Sequence, residues 1–259
     1  MSAFETIEQQ IIAAKRELRS RIPDLQARFA SETERLQSEV AAVQEEMLTG
    51  HAIVDVNFSD IQADNISDET RKQIRRRGVV VVRNVFDPVR VSGWNETLMR
   101  YVADNDYLTK QREKAGLDNY FGALASSKPQ IYGLYWSRPQ MEARQSEELA
   151  VLRSWLNHLW HQPVEGAPEF DPDRECMYAD RIRQREPGDA SLGLSPHIDG
   201  GSVERWLDPS FHKVYRDVLF GDISAYDPFN AQFRSTTKEI PSPAVCQMFR
   251  TYQGWTALT

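Results

Sequence analysis

Apolar residues recur at helical spacing through the first fifty residues of the chain. The first stripe consists of residues three or four positions apart, namely Ile7, Ile11, Ala14, Leu18 and Ile22. Pro23 interrupts it, and a second stripe follows: Leu25, Phe29, Leu36, Val40, Val43 and Met47. The pattern predicts two amphipathic helices, the second from about Asp24 to Leu48, with an apolar stripe that packs on the same chain or on a second copy. A separate partner helix is the alternative.

Capping residues position the next elements. Ser67, followed by two acidic residues, is typical of a helix start, and three arginines before Gly78 are typical of a helix end. The run GVVVVRNVF that begins there predicts a short buried strand, because it is rich in β-branched residues and apolar on both faces. Asp87 and Pro88 then predict a helix that continues to about Asp104.

The remainder of the chain is expected to be richer in strand. The pattern predicts one more long helix, over 141–160. It predicts strands over 130–136, 175–185, 192–199, 244–250 and 252–258.

Arginine occupies every second position at the end of segment 176–185. Its even positions are Cys176, Tyr178, Asp180, Ile182 and Gln184, whereas the odd positions from 181 onward are all arginine. Successive side chains of a strand point to opposite faces. We therefore expect the even positions to face inward and the arginines to face outward.

A possible metal-binding pair follows this segment. His197 and Asp199 stand two residues apart in a predicted strand, so both side chains are expected on one face, where they could bind one ion. An imidazole and a carboxylate are two of the three ligands in the facial triad of non-haem iron(II) oxygenases. A surface turn with Asp199 as a capping residue is the alternative.

Several segments also resemble a known group of enzymes. They begin with IRRRG and include YADRIRQREPG, HIDGGSVERW and FRTYQGWTAL. Together these segments span about residues 70–259. They resemble an uncharacterised family of the iron(II)- and 2-oxoglutarate-dependent dioxygenases, distantly akin to the phytanoyl-CoA hydroxylases. The resemblance implies an α+β fold. Residues 68–259 would form the N-terminal part of a double-stranded β-helix (a cupin-like jelly roll), incomplete here, after a helical region over 1–67.

The resemblance also implies roles for individual residues. His197 and Asp199 would bind iron(II), with 2-oxoglutarate as cosubstrate in the oxidation of an unknown small molecule. Three residues just beyond them would line the substrate side: Ser202, Arg205 and Trp206. Tyr178 and Gln184, on the neighbouring strand, would contact the cosubstrate, although ordinary filling of the barrel interior explains them equally well.

The chain departs from the oxygenase pattern after Asp199. Such enzymes place a second histidine on a late strand, but the only histidine after this point is His212, where the sequence predicts a helix start. Only about half of the strands of a jelly roll can be counted. The chain therefore resembles a C-terminally truncated oxygenase that is inactive alone. A non-catalytic fragment or pseudoenzyme that acts through association is the alternative.

Charge and composition limit the partners. A net charge of −7 argues against a nucleic-acid binder that neutralises phosphates. No apolar run reaches the roughly 18 residues of a membrane span, and the chain opens without a secretory signal, which favours a cytoplasmic protein without a membrane partner. A small-molecule substrate and a second copy of the chain remain as expected partners.

Overall fold

The structure is a computed structural model of the chain. It describes residues 6–50, 52–107, 109–110, 131–174, 177, 179–184, 214–234 and 251–259. The elements in chain order are α1 (Ile7–Arg21), α2 (Leu25–Leu48), β1 (Val54–Asn57), α3 (Phe58–Gln62), α4 (Asp68–Arg77), β2 (Val80–Arg83), α5 (Pro88–Asp104), β3 (Ile131–Tyr132), α6 (Arg138–Arg144), α7 (Glu147–Asn157), β4 (Ile182–Arg183) and α8 (Arg216–Leu219). Two 3₁₀ helices follow, Ile223–Ala225 and Ala231–Arg234. Within these described ranges, no helix is both long and apolar enough to cross a membrane.

The two N-terminal helices are confirmed, and local contacts explain where they begin and end. Thr6 and Gln9 form a reciprocal capping box at the start of α1, in which each side chain accepts a hydrogen bond from the other residue's backbone N–H. The helix ends at Arg21, just before Pro23, because a proline cannot donate the next backbone hydrogen bond. Asp24 then adopts a left-handed conformation with φ of 50°, which redirects the chain into α2.

The helix α2 is attached to α4 through charges. Glu39 and Glu46 on α2 form ion pairs with Arg76 and Arg77 at the end of α4. Phe29, Leu36, Val40 and Met47 of the apolar stripe of α2 are exposed. The expected packing on the same chain was therefore wrong for these residues, and packing on a second copy stays a prediction. The attachment to α4 lies along a charged flank. Leu25, at the start of the stripe, packs on the buried cluster that contains Leu18, Ile22 and Leu219.

The main core forms between a parallel strand pair and the helices around it. β1 pairs with β2 in register, with Val54 opposite Val80, and α3 and α4 connect the two strands. The core cluster contains Val56, Phe58, Ile61, Ile74, Trp155 and Leu159. β1 was not predicted, and the first three residues of β2 are half-buried rather than fully buried as expected.

The caps predicted for the middle of the chain are confirmed. The hydroxyl of Ser67 accepts from the backbone N–H of Thr70 at 3.1 Å, and Gly78 ends α4 with φ of 66°. Asp87 caps α5 by accepting from the backbone N–H groups of Val89 and Arg90. These short-range polar contacts fix the helix ends as the sequence predicts.

Two later predictions need correction. The single helix expected over 141–160 is divided into α6 and α7, because the Ser146 hydroxyl accepts from the backbone N–H of Leu149 and starts a new helix. Residues 251–259 form no strand, although Leu258 packs on a second cluster with Leu98, Val102 and Tyr132.

The described residues contain two sheets, each of two strands. The jelly roll stays a prediction, since most of its expected strands lie outside the described residues.

We predict that Leu159→Ala lowers the free energy of unfolding by about 3 kcal/mol. Its side chain is completely buried, so truncation removes apolar contacts and leaves a cavity. Leu48→Ala makes the same chemical change at a side chain that is 89% exposed, and should change stability by less than about 0.5 kcal/mol. Urea denaturation of both variants measures the difference. Equal losses would contradict the placement of Leu159 at the centre of the core.

Candidate functional site

Most of the residues proposed from the sequence lie outside the described part of the chain. These are the metal-ligand pair and four of the expected binding residues: His197, Asp199, Tyr178, Ser202, Arg205 and Trp206. Gln184 is the one member of the proposed site that the structure describes. The region around Gln184 therefore forms the described part of the candidate site.

Gln184 follows β4 directly, and a tyrosine on β3 holds its side chain. The Tyr132 hydroxyl donates to the Gln184 side-chain oxygen at 2.9 Å. Tyr132 is buried at 3% exposure and packs at a tilt against Tyr107, with ring centroids 5.4 Å apart. The Tyr107 hydroxyl accepts from the backbone N–H of Gly133 at 2.7 Å. The two tyrosines thus fix the side chain of Gln184 where the short sheet ends.

The alternation expected on this strand is confirmed only where the strand itself forms. Ile182 is buried, and Arg181 and Arg183 are exposed. Asp180 was expected to face inward, but its side chain is 52% exposed. β4 begins at Ile182, so Asp180 precedes the ladder and the two-residue period does not apply to it.

Two buried polar side chains of α6 hold the segments that flank this sheet. The Gln140 amide donates to the backbone oxygens of Leu134 at 2.8 Å and Asp180 at 3.0 Å. The Arg144 guanidinium donates to the Tyr135 backbone oxygen at 3.1 Å and lies 3.4 Å from the Asp180 carboxylate. Each of these donors has a hydrogen-bond acceptor, so the two polar side chains can be buried without an unpaired donor.

Gln140 and Arg144 were not predicted from the sequence. The available signal was the capping pattern at Ser137, where Gln140 occupies the third helical position of a capping box. That pattern predicts the helix start. It does not predict that the same glutamine also reaches a backbone oxygen 40 residues away.

Two histidines near the end of α7 each bind a separate carboxylate. His158 Nε2 lies 3.1 Å from Asp173, and His161 Nδ1 lies 2.6 Å from Asp227. Hydrogen bonds from Ser154, and then from His158, hold the pKa of Asp173 below its ordinary value. Among the residues that the structure describes, no three histidine, cysteine or acidic side chains come together to hold a metal. The two pairs therefore connect neighbouring segments.

A separate cleft of about 680 Å³ lies between α5 and the junction of α6 and α7. Its walls include Arg90, Glu142, Glu147 and Glu148. Arg90 pairs with Glu148 at 2.9 Å and lies over the Trp94 ring at 4.7 Å. Arg90 and Glu148 thus bind each other, whereas Glu142 binds Trp94 and Arg138. Gln184, the described member of the proposed site, does not line the cleft.

Hydrogen bonds from Trp94 and then from Arg138 lower the pKa of Glu142 from its ordinary value of 4.5. A carboxylate with a lowered pKa stabilises the folded state fully above the ordinary pKa, and that stabilisation is lost as the pH falls below it. We predict that Glu142→Gln makes the melting temperature less dependent on pH below about 4.5. Thermal melts between pH 3 and 7 test this. Glu34→Gln, at an exposed position of α2, should leave the pH profile unchanged.

Tyr132→Phe should lower the free energy of unfolding by about 1 kcal/mol, because it removes the donor to Gln184 while keeping the ring. Tyr101→Phe is the matched control at a half-exposed position of α5 and should have little effect. Chemical denaturation measures both variants. No loss in Tyr132→Phe would show that the hydroxyl does not hold Gln184.

Comparison with known proteins places this chain in a family. The chain belongs to the Gig2-like family, whose model matches residues 5–259. It is 39% identical over 248 residues to the uncharacterized protein YbiU of Escherichia coli (strain K12), a match that covers 95% of this chain and 58% of YbiU. The chain therefore spans a little over half the length of this curated relative.

Solved structures are also similar to this chain. The crystal structure of the "Putative Oxidoreductase" from Salmonella typhimurium LT2 matches with a TM-score of 0.80 and 39% identity, over 95% of this chain and 59% of that one. The structure of GlcNAc Inducible Gene 2 from Candida albicans matches with a TM-score of 0.66 and 24% identity, over 92% of this chain and 48% of that one. The second match supports the fold alone.

These matches correct the relationship expected from the motifs. The chain was expected to belong to an uncharacterised family of the iron(II)- and 2-oxoglutarate-dependent dioxygenases, distantly akin to the phytanoyl-CoA hydroxylases. That assignment was wrong, because the family match is to the Gig2-like proteins. None of the relatives named above is described as a phytanoyl-CoA hydroxylase.

Proposed function

We propose that this chain belongs to an oxidoreductase that uses iron(II) and 2-oxoglutarate to oxidise a small molecule. The observation that carries the oxidoreductase class is the match to the Salmonella protein of that description, at a TM-score of 0.80 over 95% of the chain. The choice of iron and cosubstrate rests on the His197 and Asp199 pair in the sequence.

The donor atoms of this pair fit iron(II). Imidazole nitrogen with carboxylate oxygen is the ligand combination found in non-haem iron(II) oxygenases, whereas thiolate sites favour zinc and iron–sulfur clusters. His197 and Asp199 would hold the metal from the protein side. Iron bound there would supply the oxidative chemistry, and the protein would supply its position and the binding of the substrate.

Gln184 would orient the cosubstrate in this proposal. The hydrogen bond from Tyr132 restricts its side chain, and the Tyr107 ring packs beside that tyrosine. A side chain held in one rotamer loses little conformational entropy when it binds a ligand. Ser202, Arg205 and Trp206 would form the substrate side, since they follow the proposed ligands directly in the sequence.

Metal binding tests the proposal most directly. We predict that the purified chain binds iron(II) under anaerobic conditions, and that His197→Ala or Asp199→Ala weakens this binding at least tenfold, because each variant removes a ligand. Equilibrium dialysis with iron(II), with and without 2-oxoglutarate, measures the affinity.

His212→Ala is the matched control, since it removes another histidine from the same chain and should leave iron binding unchanged. Circular dichroism confirms that each variant is folded. Equal iron affinity in all the variants would refute the proposed ligand pair and would favour the alternative of a non-catalytic protein that acts through association.

A further inference from the structure

The helix α2 carries a continuous apolar face that remains exposed. Phe29, Leu36, Val40 and Met47 are 58%, 54%, 54% and 65% exposed, respectively. They are spaced four or seven residues apart, so they lie in one row on the helix. The row extends over about 27 Å at 1.5 Å per residue. Single exposed apolar side chains are common on proteins, but a continuous row of them indicates an interaction surface.

The two flanks of this apolar face differ in charge. One flank has a net positive charge near the start of the helix, where Glu32 lies between Arg28 and Arg35, and is acidic near its end, at Glu39 and Glu46. The other flank is uncharged and consists of Gln26, Thr33, Gln37 and Gln44. A partner helix with the same charge pattern in the opposite direction would complement the first flank and meet no charge on the second.

A second copy of α2 has this pattern when it runs antiparallel. With the symmetry axis near Gln37 and Ser38, Phe29 faces the partner's Met47 and Leu36 faces the partner's Val40. The basic half of the charged flank then lies beside the acidic half of the partner's flank. A parallel arrangement would place the basic halves together and the acidic halves together, which is unfavourable.

Ion pairs within the chain are compatible with this arrangement. Glu39 is 42% exposed although it binds Arg76 and Arg77, and Arg35 is 54% exposed although it binds Glu32. Both side chains therefore still present charge to solvent. Because these charges are shared with the same chain, they set the direction of pairing more than its strength.

We propose that α2 pairs antiparallel with α2 of a second copy of this chain. The four apolar side chains would bury roughly 500 Å² per copy, because each is more than half exposed and large side chains cover about 150–250 Å². The total of about 1,000 Å² lies at the lower limit for a specific interface. The dimer is therefore weak and dissociates on dilution through the micromolar range.

Sedimentation velocity of the 259-residue chain over a range of concentrations tests the dimer. The double variant Leu36→Glu/Val40→Glu places two charges in the middle of the apolar face and should weaken association at least tenfold. Ser38→Glu/Ala41→Glu introduces the same charge on the opposite side of the helix and should associate like the unmodified chain. A chain that is monomeric at every concentration, or equal loss in both variants, would overturn the proposal and show that another occupant covers the face.

Cysteine cross-linking tests the direction of pairing without charged substitutions. One preparation carries Phe29→Cys and a second carries Met47→Cys, both at exposed positions. After mixing and mild oxidation, peptide mapping should show a disulfide between positions 29 and 47 of different chains, since disulfides form only between closely placed cysteines. Disulfides between two copies of position 29, or no disulfide at either position, would contradict antiparallel pairing.

Discussion

The described structure depends most on the burial of Leu159 just after α7. This side chain fills the core beside the parallel strands, and its backbone oxygen accepts a hydrogen bond from Arg75 at the end of α4. Two residues later, His161 pairs through its backbone with Asn230, which attaches segment 214–234. That segment also packs against the end of α1. One buried position thus connects the sheet, the central helices and the N-terminal helices.

The candidate site depends on a different kind of contact. β3 and β4 have two residues each, so few ladder hydrogen bonds hold them. Gln140 and Arg144 compensate by binding the backbone on both sides of this short sheet. Buried polar side chains with complete hydrogen bonding fix one arrangement of the groups that they contact. The position of Gln184 is therefore set by the helix packed behind the strands as much as by the strands themselves.

The helix caps and helix ends of this protein can be predicted from its sequence, whereas the pairing of its strands cannot. The caps at Ser67 and Asp87 and the ends of α1, α2 and α4 depend on neighbours within four residues, and these predictions are confirmed. The pairing of β1 with β2 depends on residues 26 positions apart, and the polar pattern of β1 gave no sign of it. The alternation at 176–185 failed at Asp180 because periodicity does not reveal where a ladder begins. The His197 and Asp199 pair stays a prediction.

The attachment of α2 through charges has a consequence for local unfolding. No residue of α2 is buried, and Glu39, Glu46, Arg76 and Arg77 account for its ion pairs with α4. The side chains of Glu39 and Glu46 are 42% and 28% exposed, so salt screens these pairs in part, whereas it does not screen the apolar core. The backbone amides of α2 should therefore exchange with deuterium faster than those beside Leu159. The ratio of the two exchange rates should increase as the ionic strength rises. The helix is a unit that can open while the core remains folded.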